Sequence, residues 1–284
     1  MNRKKGFDIF LSVITYGAAC IALFTLVFLI GYVAVKGLPN LQWSLFSLNY
    51  TSQNVSMLPA IINTVILTLL SLVITVPLGV FTAIYLVEYA KRGSKLVGII
   101  RVTAETLSGI PSIVYGLFGS IFFVVYLKLG LSMLSGVLTV SIMILPLIMR
   151  TTEEALKGVP DSYREGSFGL GAGRLRTVFR IVLPAAVPGI LSGIILAIGR
   201  IAGETAALVF TAGTVAQIPQ FYNAATQELF WQQSTRTLSV HMYNLSSEGL
   251  HVGEAYATAL VLIVMVAGIN ALAEIAAKKL SNVD

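Results

Sequence analysis

Long apolar runs separated by short polar segments dominate the chain. About 20 consecutive apolar residues let a helix cross the ~30 Å hydrocarbon core of a bilayer, because each residue adds ~1.5 Å. Six runs reach or approach that length, and they lie at about 9–35, 58–87, 109–127, 131–148, 185–210 and 255–276. The pattern therefore predicts an all-α, polytopic membrane protein with six transmembrane helices.

One further segment, 94–110, is apolar but carries Lys95, Arg101 and Glu105. We interpret it as a helix at the membrane interface that leads into the third span. Arg101 and Glu105 are four residues apart near the predicted cytoplasmic surface, so they are expected to form an interfacial ion pair.

Composition supports the membrane assignment. Apolar residues make up 56% of the chain and charged residues 11%, with a mean hydropathy of +0.85, whereas a soluble domain is about one-quarter charged. The net charge of +6 comes from short clusters beside the spans, with no basic face that would predict a nucleic-acid partner. The single cysteine, Cys20, excludes a disulfide framework. The first apolar run is about twice as long as the core of a signal peptide, so it predicts a retained helix.

The distribution of Lys and Arg predicts the orientation, because cytoplasmic loops are enriched in both residues. One side of the membrane receives Arg3, Lys4, Lys5, Lys91, Arg92, Lys95, Arg150, Lys157, Arg164, Arg174, Arg176, Arg180, Lys278 and Lys279. The other side receives Lys36, Lys128 and Arg236. We therefore expect both termini in the cytoplasm and the loops 37–57 and 211–254 outside. The second loop either caps the outer mouth, meets an external partner or rests its aromatic residues on lipid headgroups.

The cytoplasmic segment 150–184 predicts a short helix that begins after Pro160 and stops among the glycines at 169–173, followed by a second helix from Arg174. Three residues in or beside the short helix are too apolar for a free loop, and they are Tyr163, Phe168 and Leu170. We expect them to lie in the groove of a partner protein.

The same segment resembles the EAA loop of ABC-importer permeases, whose pattern is E-A-A, three residues, G, nine residues, I-x-L-P. The matching positions are Glu165, Gly171, Ile181, Leu183 and Pro184. Gly166 and Ser167 stand where the family has two alanines. The resemblance implies that this loop couples the chain to an ATPase.

Two more stretches, GIPSIVYGLFG at 109–119 and RIAGETAALVFTAG at 200–213, resemble segments of phosphate-importer permeases, and the second is more similar to the PstA type than to the PstC type. The resemblance covers roughly 58–276. It implies the type I (MetI-like) fold, with an N-terminal helix and outer loop at 1–57 and a permease core at 58–280. It also implies four kinds of partner: a second, PstC-like permease, two cytoplasmic ATPase subunits, an extracytoplasmic phosphate-binding protein and membrane lipid.

Arg200 and Glu204 carry the candidate chemistry, because a charge inside a membrane span marks a pathway by default. Guanidinium offers a fork of donors that matches phosphate oxygens and stays protonated. Glu204 has three possible roles. It could pair with Arg200 one helical turn away, accept a hydrogen bond from a protonated phosphate oxygen and so reject sulfate, or bridge to another helix as a gate.

Other polar residues could line the same pathway. Thr205, Thr211 and Thr214 offer hydroxyls, although hydroxyls also bond between membrane helices for purely structural reasons. Ser112 follows Pro111, where a broken helix can expose backbone donors to an anion.

The sequence contains no set of residues that indicates a catalytic site. The chain has no G-x-x-x-x-G-K-[ST] motif, so ATP hydrolysis is expected from a partner ATPase. His241 and His251 have no cysteine or carboxylate set beside them, so no metal and no cofactor are predicted. The expected function is phosphate import by alternating access. The alternatives are a permease for sulfate or molybdate, a gradient-driven secondary transporter and, less well supported, a membrane enzyme acting on lipid phosphates.

Overall fold

The computed structural model describes residues 2–91 and 93–281, and most of them are helical. The longer helices are α1 (Asn2–Gly37), α2 (Leu58–Ile84), α3 (Lys95–Ser108), α5 (Met133–Lys157), α8 (Leu183–Ala202), α10 (Leu238–Glu248) and α11 (Val252–Ser281). The short helices are α4 (Ser112–Gly119), α6 (Asp161–Gly169), α7 (Arg174–Thr177) and α9 (Ala206–Val209). Arg92, one of the cations used to predict orientation, lies outside the described residues.

Irregular helical turns complete these elements. Wider π-helical turns extend α2 and α4 and precede α8, and they cover Tyr85–Tyr89, Ser120–Tyr126 and Val178–Val182. Two short 3₁₀ helices, Leu38–Asn40 and Trp43–Phe46, follow α1. Strands β1 (Tyr222–Asn223) and β2 (Glu228–Leu229) form one antiparallel pair in which Tyr222 faces Leu229.

Five of the predicted spans are confirmed as helical segments long and apolar enough to cross a membrane, within the part of the chain that the structure describes. They are Phe10–Asn40, Leu58–Tyr89, Met133–Lys157, Arg174–Ala202 and Val252–Ile275. The third predicted span, at 109–127, reaches that length only together with α3, and the two helices are bent by 101° at the break between them. The described residues therefore contain five helices long and apolar enough to cross a membrane, or six if this bent pair counts as one span.

The prediction of a continuous fifth span at 185–210 is wrong at its C-terminal end. Helix α8 ends at Ala202, and the short helix α9 begins only at Ala206. Gly203 disfavours continuation of the helix, and the Glu204 carboxylate accepts a hydrogen bond from the backbone N–H of Ala207 at 3.0 Å, as a capping side chain does. Apolar composition continues through this break, which is why hydropathy alone missed it.

Helix α5 is central and packs against α2, α8, α3 and α4. Small residues allow the closest approaches: a Cβ on Gly79 of α2 would lie 2.7 Å from Cγ2 of Ile148, and one on Gly193 of α8 would lie 2.2 Å from Oγ1 of Thr151. Such close backbone contacts are typical of membrane helix pairs. They make α2, α5 and α8 one packed unit.

Helix α1 stands apart from this unit. It packs against α11, and between residues 10 and 37 nearly all of its apolar side chains, as well as Cys20, are exposed. A helix that is apolar on all sides and exposed is compatible with a lipid environment.

Candidate substrate pathway and coupling surface

Arg200 lies in the last turn of α8, and its side chain is exposed. Among residues 2–91 and 93–281, no ion pair joins it to an acidic side chain. The carbonyl end of a helix favours a cation, which helps to hold the guanidinium there. Arg200 is also close enough to the Tyr115 phenol to act on it electrostatically, and that phenol donates a hydrogen bond to the Leu107 carbonyl at 2.7 Å.

Glu204 is buried and has structural partners. Its Oε1 accepts from the backbone N–H of Ala207, and its backbone carbonyl accepts a hydrogen bond from Ser239 Oγ at 2.6 Å. It lies beyond the end of α8, so it is not one helical turn from Arg200. Of the three possible roles of Glu204, pairing with Arg200 is therefore not observed among the described residues, because the helix that would have aligned the two side chains ends between them.

Two other residues predicted for the pathway lie at interruptions of the helices. Thr205 precedes α9 and is partly exposed, and Ser112 begins α4 at the 101° bend. Helices α4 and α9 touch, because a side chain on Gly116 would come within 2.8 Å of the Ala207 Cα. Tyr115, one turn beyond Ser112, was not predicted. The sequence feature that could have identified Tyr115 is an aromatic hydroxyl one turn inside a broken membrane helix.

Thr211 and Thr214 have structural roles. The Thr211 hydroxyl is buried and donates to the Ala207 carbonyl, and the Thr214 carbonyl accepts from Arg236 Nε at 2.6 Å. The Thr211 bond is local, and the Thr214 contact uses the backbone carbonyl, so neither is a threonine hydroxyl bonding between helices.

Helix α10 covers the break from the predicted outer side. The Leu238 N–H donates to Thr64 Oγ1 on α2 at 2.9 Å, and Asn63 Nδ2 donates to the Gln217 and Arg236 carbonyls at 2.9 and 3.2 Å. Together with the Ser239 bond to Glu204, these contacts join α2, α10 and the helix break. We call this region, residues 211–248 with Asn63 and Thr64, the outer cap.

His241 links the outer cap to the first outer loop. Its Nε2 lies 3.2 Å from the Val55 carbonyl, and its Nδ1 lies 3.3 Å from Arg236 Nη1. Burial and the nearby Arg236 charge lower the pKa of His241 to about 4, against a smaller opposing effect of the Val55 hydrogen bond. The imidazole is thus neutral at pH 7, donating from Nε2 and accepting at Nδ1. His251 lies 3.7 Å from Glu254, and the described residues contain no cluster of metal ligands.

The predicted coupling loop folds as expected into α6 and α7. Tyr163, Phe168 and Leu170 are exposed, and Leu170 is 91% exposed. Gly171 has φ +82°, a backbone conformation that favours glycine and so accounts for the residue at this position of the motif. We call these three exposed apolar side chains, Tyr163, Phe168 and Leu170, the coupling surface.

Other motif residues hold α6 in place. Glu165 is exposed on α6, whereas Ile181, Leu183 and Pro184 lie at the junction that leads into α8. Ser167 is buried, and its hydroxyl lies 2.8 Å from that of Thr177. The departure from alanine at this position therefore adds a hydrogen bond between α6 and α7.

The prediction that Arg101 forms an ion pair with Glu105 is wrong, because Arg101 pairs with Glu153 instead. Arg101 Nη2 lies 2.7 Å from Glu153 Oε1, and Lys157 Nζ lies at the same distance from that oxygen. Glu153 is buried on α5 while Arg101 is on α3, so tertiary packing prevails over the four-residue spacing.

Comparisons with known proteins agree with this architecture. The family described as "Binding-protein-dependent transport system inner membrane component" matches residues 75–282, so the chain belongs to this family. Its members are inner-membrane components of transport systems that depend on a binding protein. The chain is therefore a multi-pass transport subunit, and such importers also contain an ATPase and a partner permease.

Individual relatives are more specific. The chain is 33% identical over 256 residues to "Probable ABC transporter permease protein YqgI" of Bacillus subtilis, which covers 88% of this chain and 86% of that protein. It is 38% identical over 203 residues to "Phosphate transport system permease protein PstA" of Yersinia pestis, which covers 70% of this chain and 68% of that protein.

A solved bacterial alginate ABC transporter superimposes with a TM-score of 0.68 at 15% identity, covering 97% of this chain and 96% of that one. At this identity the likeness concerns the fold alone. The prediction of an all-α ABC-importer permease is confirmed.

Proposed function

We propose that the chain is one permease subunit of an ATP-driven importer that passes inorganic phosphate into the cytoplasm by alternating access. One observation carries the proposal: the exposed guanidinium of Arg200, at the end of α8, has no acidic partner among the described residues and lies beside a helix break that holds a buried carboxylate. The similarity to a phosphate transport permease supports the choice of substrate.

Arg200 would bind the anion. A phosphate entering the break would meet a charged fork of N–H donors without first displacing an acidic partner. Guanidinium is less strongly hydrated than ammonium, so it gives up water readily when the anion arrives. Ser112 and Thr205 would add donors from α4 and from the start of α9.

Glu204 retains two of its predicted roles. As a fixed acceptor, it would take a hydrogen bond from the proton of a phosphate oxygen and disfavour sulfate, which has no proton to offer. As a gate, it would change partners when the outer cap moves, because Ser239 holds its backbone carbonyl.

The partners would be a PstC-like second permease, two cytoplasmic ATPase subunits and an extracytoplasmic phosphate-binding protein, within membrane lipid. The coupling surface would dock on the ATPase, with Glu165 and Gly171 shaping it. Ile181, Leu183 and Pro184 would pass its motion into α8.

We place both termini in the cytoplasm. We divide the chain into residues 1–57 and a permease core at 58–280, with the coupling loop at 150–184.

Phosphate uptake into liposomes that contain the purified complex tests the proposal. We expect uptake to need ATP, the binding protein and Arg200, and to resist excess sulfate. Replacing Glu204 with Gln should narrow the preference for phosphate over sulfate if Glu204 selects, and should lower the rate at an unchanged ratio if it gates.

Other results would support a different function. Uptake that continues without the ATPase and follows the ion gradient would identify a secondary transporter. Uptake of sulfate or molybdate that excess phosphate does not inhibit would identify another oxyanion permease.

The docking of the coupling surface has its own test. Cysteines placed at Phe168 and in the ATPase groove should crosslink in a nucleotide-dependent manner. The absence of crosslinks at every neighbouring position would exclude this surface as the docking site.

A further inference from the structure

A largely buried ion pair joins the coupling helix α6 to the predicted cytoplasmic end of α2. Arg164 of α6 places Nη2 2.7 Å and Nε 3.1 Å from Oε1 of Glu88, which lies in the π-helical turn that ends the second span. The two side chains are only 14% and 8% exposed. The contact spans 76 residues of sequence, so it is a tertiary joint and not a local turn.

The same guanidinium also fixes the end of α5. Its Nη2 donates to the Leu156 carbonyl at 2.9 Å and its Nη1 to the Val159 carbonyl at 2.8 Å. These carbonyls lie at the C-terminal end of α5, where a cation is favoured. Only the planar fork of arginine can serve these acceptors and Glu88 together, because lysine offers a single nitrogen.

The other end of α2 holds the outer cap. Thr64 accepts from the Leu238 N–H, and Asn63 donates to the Gln217 and Arg236 carbonyls. Asn63 and Glu88 are 25 residues apart in one helical segment, Leu58–Tyr89, which corresponds to a separation of about 38 Å. Opposite ends of α2 thus contact the coupling helix and the cap above Glu204.

Packing keeps α2 stiff between these ends. Pro77 removes one backbone hydrogen bond, but the adjacent Gly79 lies against Ile148 of α5 with no room for even a methyl group. Ile148 is itself fully buried. A helix packed in this way shifts as a body and does not bend freely at the proline.

We infer that Arg164 is a positioning residue that ties α6 to α2, so that α2 carries the movement of the coupling helix to the outer cap. The inference rests on the proposed function, because it needs α6 to dock on an ATPase. It adds a second route to the one through Pro184 and α8. Closure of the ATPase would pull α2 through Glu88 and shift Asn63 and Thr64 beneath the cap.

Glu88→Gln in the complete complex tests the inference, because it removes the charge of the pair and keeps a side chain of the same shape. We expect the phosphate imported per ATP hydrolysed to fall at least about five-fold, the lower end of typical coupling between sites. Crosslinking of the ATPase to a cysteine at Phe168 should persist. The matched control is Glu153→Gln, which removes an equally buried carboxylate whose 2.7 Å ion pairs, with the more exposed Arg101 and Lys157, do not involve α6, and which should leave the ratio unchanged.

A second readout follows the helix break that the outer cap covers. Thr205→Cys, in a chain where Cys20 is replaced by serine, should react with an external thiol reagent at a rate that nucleotide changes by about five-fold or more. Glu88→Gln should abolish this nucleotide dependence, whereas Glu153→Gln should retain it. A residue that only stabilised the fold would not separate these two variants.

Each outcome bears on one claim. If the parent complex imports no phosphate, the proposed function fails. If the parent imports phosphate and Glu88→Gln keeps both the parent ratio and the nucleotide-dependent labelling, the inference is overturned and the function stands. If Glu88→Gln does not assemble, Arg164→Lys replaces it: this variant keeps the charge but lacks the fork, so a lowered ratio supports the inference and a parent-like ratio overturns it.

Discussion

Arg164 and Arg200 are both associated with helices of the permease core, but their surroundings differ. Arg164 is largely buried, and each of its donor groups has an acceptor: Glu88, two carbonyls at the end of α5, or Asp161. Arg200 is exposed at the end of α8 and has no acidic partner among the described residues. The difference indicates what each cation is for: a fully bonded guanidinium joins helices, and an unpaired one is available to a passing anion.

The strongest test of this comparison is Arg200→Gln. We expect phosphate uptake to fall about 100-fold or more, because hydrogen bonds to charged groups contribute about 1.5–3 kcal/mol each and the fork makes two. Arg200→Lys keeps the charge without the fork and should lose about ten-fold. The measurement is the initial uptake rate in liposomes, with the amount of assembled complex determined in parallel. Uptake by Arg200→Gln at the parent rate would show that the guanidinium does not meet the substrate.

A third arginine, Arg236, is intermediate between Arg164 and Arg200, because it has a side-chain partner, His241, but this partner is neutral. The native His241 pKa of about 4 lies below the unfolded value of 6.5, so the unfolded chain binds more protons between these pH values. The protein should therefore lose stability as pH falls from about 6.5 to about 4. The loss should approach about 3 kcal/mol, since one pKa unit is worth about 1.4 kcal/mol.

Thermal unfolding in detergent at pH 7 and pH 4.5 measures this effect. His241→Gln should remove much of the pH dependence, whereas His251→Gln should retain it. An identical pH dependence in the parent and His241→Gln would show that the buried imidazole does not titrate in this range.

The sequence was informative where composition decides the structure and less so where single contacts decide it. Apolar run length located the spans, and Pro160 with the following glycines located α6. The end of α8 was missed because the apolar run continues past Ala202, while the interruption depends on one side-chain cap. The Arg164–Glu88 pair and the buried His241 were also missed, because residues far apart in sequence meet there and no local spacing marks them.

Glu204 tests how the helix break beside Arg200 is maintained. Glu204→Ala removes the acceptor for the Ala207 N–H, so it should lower the free energy of unfolding by about 1 kcal/mol, as the loss of a helix cap does. Glu204→Gln retains an oxygen acceptor and should change stability little. Thermal unfolding of both variants provides the measurement, and equal destabilisation by Ala and Gln would show that charge rather than capping matters.

Ser167→Ala is expected to have the smallest effect, and it concerns the contact between α6 and α7. It places the family's alanine at this position but removes the hydrogen bond to Thr177, and the Thr177 hydroxyl still has the Gly173 carbonyl at 3.2 Å as a partner. A lost hydrogen bond costs about 1 kcal/mol, and alanine recovers up to about 0.5 kcal/mol of helix propensity. We therefore expect a net loss of about 0.5 kcal/mol, measured by thermal unfolding in a double-mutant cycle with Thr177→Val. Unlike Glu88→Gln, this variant should leave the phosphate imported per ATP unchanged, because the Arg164 joint remains intact; a fall in that ratio would mean that the α6–α7 contact, and not α2, carries the movement.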